Sequence, residues 1–311
     1  MNAPPNMNNF KKEKKSTIYH DAHERNHQDS FLKKDNDYFF TLKNKDCVAY
    51  KMGLRYLEII QPLLKESNTW LTIGDCYGFE AKYLIEQNQN AVASNISDMF
   101  LKEANEQSLI NDYMKINVEN IDLEEDSFDY LLCKESFHHF PRAYLGLYEM
   151  IRVAKKGVVM IEPLDVLSKM PLLLFLKNLC DCFNPYLINK IWKNRFSWET
   201  VGNYVFKISE REIEKIAMGM GLACIAFKGL NVRVAPIPAK WGDPYKVPLD
   251  EKLYKKLQNR LAVWNLICRM RIIPYTSLCI LVFKEKPQKE LLNELRKNRY
   301  KVIELPVNPY L

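Results

Sequence analysis

Four groups of residues, spread over fewer than a hundred positions, are of types that do chemistry. The first is Gly74-Asp75-Cys76-Tyr77-Gly78, which follows the apolar run Trp70 to Ile73. Glycine tolerates positive φ and leaves bare backbone, so two glycines where a strand turns into a helix form a cradle against which a cofactor can lie. The second and third are Asn95-Ile96 and Asn117-Val118-Glu119, polar side chains at the ends of two further short apolar runs. The fourth is Lys134-Glu135-Ser136-Phe137-His138-His139-Phe140, with Glu162 ending the next apolar run. A neutral histidine near pH 7 can take a proton from an attacking hydroxyl, and a carboxylate can do the same. His138 and His139 are adjacent, so on a helix they diverge by about 100° and at most one faces a common site. Of the two, His139 is favoured as a base; the alternative is that both cap or pack the following helix. Glu135 and Glu162 are further candidate bases, and Lys134 and Glu135 either pair with each other or reach the cofactor and acceptor.

These groups need a scaffold that brings strand ends to one edge, and the spacing provides one. Strands are expected at 70–73, 91–95, 113–117, 130–133 and 157–162, with helices at 80–87, 97–107 and 144–153 between them. Such alternation gives a parallel sheet covered on both faces, and right-handed crossovers put all its strand C-terminal ends on one edge. A helix over 48–64 precedes the first strand. After Glu162 the pattern loosens: an aromatic stretch from Leu164 to Tyr204 fits one or two helices over the sheet edge. Ser209-x-x-Glu212 is a capping box opening a helix to about Met220, with Gly221 stopping it. A strand over 222–228, a Pro-rich loop with Pro236, Pro238, Pro244 and Pro248, a helix over 249–270, a strand over 276–284 and a helix over 288–299 complete the chain.

Composition narrows the class. The 311 residues are 47% hydrophobic, enough for a substantial core, and no apolar run reaches a membrane-spanning length. With a polar N-terminus that is no signal peptide, a cytoplasmic location is expected. The eight cysteines show no paired CxxC spacing, so they read as small buried hydrophobes and no metal is expected. The net charge of +7 is unevenly distributed: residues 70–165 hold 8 cations against 17 anions, and residues 166–311 hold 25 against 12. An anionic partner would be drawn to the C-terminal part, unless that surface is simply solvated. No compact RNA-binding signature is present, so nucleic acid is not expected. The aromatics Phe175, Phe183, Tyr186, Trp192, Phe196, Trp198 and Tyr204, interleaved with Lys190, Lys193 and Arg195, could stack on a sugar, ring or acyl chain while cations hold a phosphate; as a stripe they also read as plain core.

On these motifs, Trp70 to Asp165 resembles the core of a class I S-adenosylmethionine-dependent methyltransferase. The resemblance implies an α/β, Rossmann-like, mostly parallel seven-stranded sheet with helices on both faces and a helical lid inserted after the fifth strand. It implies S-adenosylmethionine as cofactor, held by Thr72, Gly74, Asp75, Cys76, Tyr77 and Gly78 from the first turn, Asn95 and Ile96 at the ribose, Asn117, Val118 and Glu119 at the adenine, and Lys134. The organisation expected is a mobile tail (1–30), the cofactor-binding core (31–165), the lid (166–208), the rest of the sheet with an inserted loop and helix (209–286) and a helical C-terminal tail (287–311). Thr72, Asn95 and Asn117 stand where such proteins usually carry acids, and Cys76 where they carry a third glycine. The expected activity is methyl transfer to a hydroxyl of a small or carrier-linked anionic metabolite, of the bacterial polysaccharide- or secondary-metabolite-tailoring kind, with peripheral membrane contact permitted. The rival expectation, motivated by those four substitutions, is a non-catalytic methyltransferase-like binding partner or scaffold. A nicotinamide enzyme on a similar sheet fits less well, because Asn95 lacks the ribose-binding acid and the histidine pair has no role there.

Overall fold

The computed structural model describes residues 43–184, 186, 197–198, 204–231 and 241–310. The expected N-terminal tail, the lid residues Lys190, Trp192, Lys193, Arg195 and Phe196, and Pro236 and Pro238 lie outside the described residues.

Helix α1 (Val48–Leu57) runs into a 3-10 segment, Glu58–Leu63, so the single helix expected over 48–64 tightens half-way, where Pro62 removes a backbone donor. Strand β1 (Thr69–Ile73) follows, then α2 (Phe79–Glu86), β2 (Asn90–Asn95), α3 (Met99–Glu106), β3 (Tyr113–Lys115), β4 (Phe128–Lys134), α4 (Ala143–Val153) and β5 (Ala154–Pro163). Beyond these come α5 (Pro171–Phe183), α6 (Glu210–Gly219), β6 (Cys224–Leu230), α7 (Glu251–Arg269), β7 (Ser277–Phe283), α8 (Lys289–Lys297) and β8 (Lys301–Glu304). The capping box of α6 forms as expected, Ser209 and Glu212 bonding each other's backbone N–H.

The strands form one sheet in the order β3-β2-β1-β4-β5-β7-β6-β8. The first five are mutually parallel, whereas β7 runs antiparallel to both β5 and β6, and β8 antiparallel to β6. The sheet therefore has eight strands rather than the seven expected: after α8 the last residues return as a short strand on the β6 edge instead of remaining purely helical. β5 is longer than expected because Ala154 pairs with Phe128 across an irregularity in β4 and Pro163 pairs with Ser277 of β7.

Side-chain alternation divides the core into two layers. Trp70, Tyr130 and Leu132 point to one face, beneath Leu57, Ala81, Leu84, Leu101 and Leu295 from α1, α2, α3 and α8. Leu71, Leu131 and Val158 point to the other, beneath Leu147, Met150, Ile213 and Ala217 from α4 and α6. Trp70 stacks on Tyr130 at 4.8 Å and donates its indole N–H to Gln89, so the largest buried side chain has both its apolar body and its polar atom satisfied. Strand order reverses between β1 and β4, which leaves a crevice at their C-terminal ends.

Candidate functional site

The crevice is lined by Ile73 and Gly74 at the end of β1, Asn95 and Ile96 at the end of β2, Ile116 to Glu119 after β3, and Ser136, His139, Phe140 and Pro141 after β4. Residues expected at the site from four separate stretches of sequence thus meet there.

Both glycines of the first turn adopt positive φ, +72° at Gly74 and +75° at Gly78. A Cβ on Gly74 would stand 2.5 Å from Ser136, and one on Gly78 would meet Ile110 at 2.8 Å. Both positions therefore exclude a side chain for two reasons, backbone conformation and space. Ser136 Oγ donates to the Gly74 carbonyl at 3.0 Å, tying the β1 turn to the β4 turn.

The rest of the first turn faces inward. Asp75 is buried, its Oδ2 accepting from Thr72 Oγ1 (3.0 Å) and from the Ala81 N–H (2.9 Å), so it holds α2 against β1. Burial, then the neighbouring Glu80 carboxylate, pushes the Asp75 carboxyl well above the usual carboxylate range. Burial also raises Glu80, but the Lys134 ammonium 2.6 Å away outweighs it and holds Glu80 below its ordinary value. The Lys134 ammonium sits 5.4 Å over the Tyr56 ring, and Tyr56 donates its hydroxyl to Glu135 at 2.9 Å. Thr72, Asp75, Lys134 and Glu135 thus lie behind the crevice, in a polar cluster that fastens α1, α2 and the β4 tip together. Tyr77 packs on Phe100 at 4.8 Å, and burial followed by Asp75 and Glu80 pushes the Cys76 thiol up, keeping it protonated.

Asn95 donates its Nδ2 to the Ser97 carbonyl at 3.0 Å, which fixes the amide at the β2 tip. Asn117 Oδ1 accepts from the Glu119 N–H at 3.0 Å, an Asx turn shaping the β3 loop. Glu119 accepts from the Arg142 backbone N–H (2.7 Å) and from Arg142 Nε (2.6 Å), so its carboxylate anchors the start of α4.

The two histidines separate. His138 is buried, its Nδ1 2.7 Å from Glu162 Oε2, while Glu162 Oε1 accepts from the N–H groups of Ser136 (2.9 Å) and Phe137 (3.0 Å). Glu162 is wholly buried, so one carboxylate at the β5 tip fixes the entire turn after β4. His139 lines the crevice, its ring 4.2 Å from that of His138. Sequence reasoning did not pick out Ser136, Ile116, Phe140 or Pro141 as site residues. Ser136 lay inside the motif already singled out; its contact with Gly74 spans 62 positions and leaves no periodic trace.

The arrangement suits a nucleoside. Ile96, Ile116 and Val118 offer apolar flanks of the kind a base needs, and Asn95 brings an amide to the same opening. A histidine stands at the same opening. This donor set fits S-adenosylmethionine, with an amide where a carboxylate would accept two hydroxyls.

Residues 71–161 match the family model described as a methyltransferase domain. The match covers the strands whose tips form the crevice, and S-adenosylmethionine is the cofactor. No curated protein matches the chain. Solved structures similar to it include a putative methyltransferase from Bacillus halodurans, at 16% identity over 75% of this chain and 100% of the other, with a TM-score of 0.45. Another is the 1,6-didemethyltoxoflavin-N1-methyltransferase of Burkholderia thailandensis with bound 1,6-didemethyltoxoflavin and S-adenosylhomocysteine, at 11% identity over 87% and 88% of the two chains, with a TM-score of 0.46. A third is a SAM-dependent methyltransferase from Archaeoglobus fulgidus, at 13% identity over 80% and 100%, with a TM-score of 0.47.

Proposed function

We propose that this protein is a methyltransferase that moves a methyl group from S-adenosylmethionine to a hydroxyl of a small or carrier-linked metabolite. The observation that carries the reading is His139, which stands on the crevice beside Gly74 while Glu162 and His138 hold its turn from behind. When bound, the sulfonium supplies an electrophilic methyl carbon. The chain then has two tasks, to aim the acceptor oxygen and to remove its proton. His139 takes that proton, and the imidazole is suited to it near neutral pH. Asn95 and Asn117 orient the nucleoside, while Ile96 and Val118 exclude water from its flanks. Glu162 is fully engaged by two backbone N–H groups and His138, so it serves to position the turn.

The reading is tested by supplying cofactor labelled on its methyl group with a panel of hydroxylated metabolites and sugar-phosphate conjugates, then comparing His139→Ala with the wild type on the best acceptor. Turnover is expected to fall about a hundredfold, with cofactor affinity unchanged. A near-normal rate would return His139 to a packing role. The rival reading, a methyltransferase-like binding partner, draws on Asn95 in place of an acid; it would be favoured by cofactor binding without transfer to any acceptor.

A further inference from the structure

α5 buries none of its residues fully and leaves most of its apolar side chains exposed. Its half-buried positions, Leu173, Lys177 and Cys180, face the protein, while Leu172, Phe175, Leu176, Leu179 and Phe183 form a stripe that is exposed along its whole length, Phe175 by 62% and Phe183 by 80%. α7 changes character half-way. Its exposed positions as far as Asn259 are polar or charged, whereas from Ala262 onward they are Val263, Trp264 and Leu266, continued by Met270 and Ile272, with only Arg269 and Arg271 between.

Both apolar faces stand at the crevice edge of the sheet. α5 starts shortly after Pro163, the last residue of β5, and Pro163 pairs with Ser277 at the start of β7. Ser277 also pairs with Leu230 at the end of β6, and the next residue, Asn231, donates to Asn265 Oδ1 (3.1 Å) and Cys268 Sγ (3.2 Å) in the last turns of α7.

The charge around α7 identifies what would cover such a face. From Lys252 to Arg271 the chain has six cations and not one Asp or Glu. A protein partner could use apolar contact alone. Exposed Trp, Leu and Met interleaved with arginines, on the acid-free C-terminal half of α7, match the interface of an anionic bilayer, where aromatic and aliphatic side chains enter the acyl boundary and cations meet the headgroups.

We propose that α5 and the C-terminal half of α7 dock this protein on an anionic lipid surface with the crevice facing the membrane. If the methyl-transfer reading holds, the acceptor is then a lipid-borne anionic compound; the docking itself does not depend on that reading.

The test is co-sedimentation of the full chain with vesicles of phosphatidylcholine alone and with an equal share of phosphatidylglycerol. Binding to the anionic vesicles is expected, with affinity at least about tenfold above that for neutral ones, and falling about fivefold for each of Arg269→Gln and Arg271→Gln. Phe175→Ser with Trp264→Ser should abolish it while the melting temperature stays unchanged, since both side chains are exposed. Absence of sedimentation at millimolar anionic lipid would overturn the proposal. So would undiminished binding by the double variant, or a dimer in solution that the double variant dissociates, which would assign the face to a second copy.

Discussion

Asp75 is the residue whose chemistry departs furthest from its appearance in the sequence. As an acid inside a glycine turn it looks like a charge offered to a cofactor's ammonium group. In the folded chain it is buried, bonded to Thr72 and to the α2 backbone, with its carboxyl raised well above the usual range. The sign of the linkage follows. Between the unfolded carboxyl pKa, about 4, and the higher folded value, the native state holds a proton that the unfolded chain has released, so this group makes stability fall as pH rises. Asp75→Asn keeps an acceptor for Thr72 and Ala81 and has nothing to titrate. Chemical unfolding at a series of pH values should therefore show the variant gaining on the wild type as pH rises above about 4, by at most about 1.4 kcal/mol per unit. A constant difference would mean that Asp75 is ionised in the fold. Sequence could place Asp75 in the turn but not orient it, because its direction is set by the Thr72 hydroxyl, the Ala81 N–H and burial beside Glu80 once β1 and α2 have packed together.

At the scale of elements, one buried carboxylate gathers three donors of the turn after β4. Glu162 takes the Ser136 and Phe137 N–H groups and the His138 ring, all without water access. Glu162→Ala would orphan these donors and should cost about 3 kcal/mol or more in urea unfolding. Glu162→Gln retains one acceptor oxygen and should cost clearly less; equal losses would show that the turn is held by packing alone. The element was legible as a strand tip ending in an acid, but the two histidine rings, expected about 100° apart on a helix, lie against each other at 4.2 Å. Which histidine turned inward depended on Glu162, a contact between separate strands that no local pattern reports. α5 shows the same limit. Its apolar periodicity was readable, but a stripe of Leu and Phe looks the same in sequence whether it faces the core or the outside.

For the whole molecule, the alternation of short apolar strands with amphipathic helices was enough to derive the parallel sheet and the edge on which the crevice lies. Two features were not derivable. The reversed direction of β7 was hidden because side-chain patterning reports which faces a strand buries and not which way it runs among its neighbours. β8 was missed because Lys301–Glu304 is four residues long and half exposed, with too little periodicity to separate it from a tail. Neither disturbs the crevice, which belongs to β1 to β4 and the strand beside them.

The claim on which the account rests is that a sulfonium nucleoside binds at the tips of β1 to β4 although Thr72, Asn95 and Asn117 replace acids there. Calorimetric titration of the full chain with S-adenosylmethionine, and separately with S-adenosylhomocysteine, measures this directly. One-to-one binding of both in the micromolar range is the predicted result; no heat from either at millimolar concentration would contradict it.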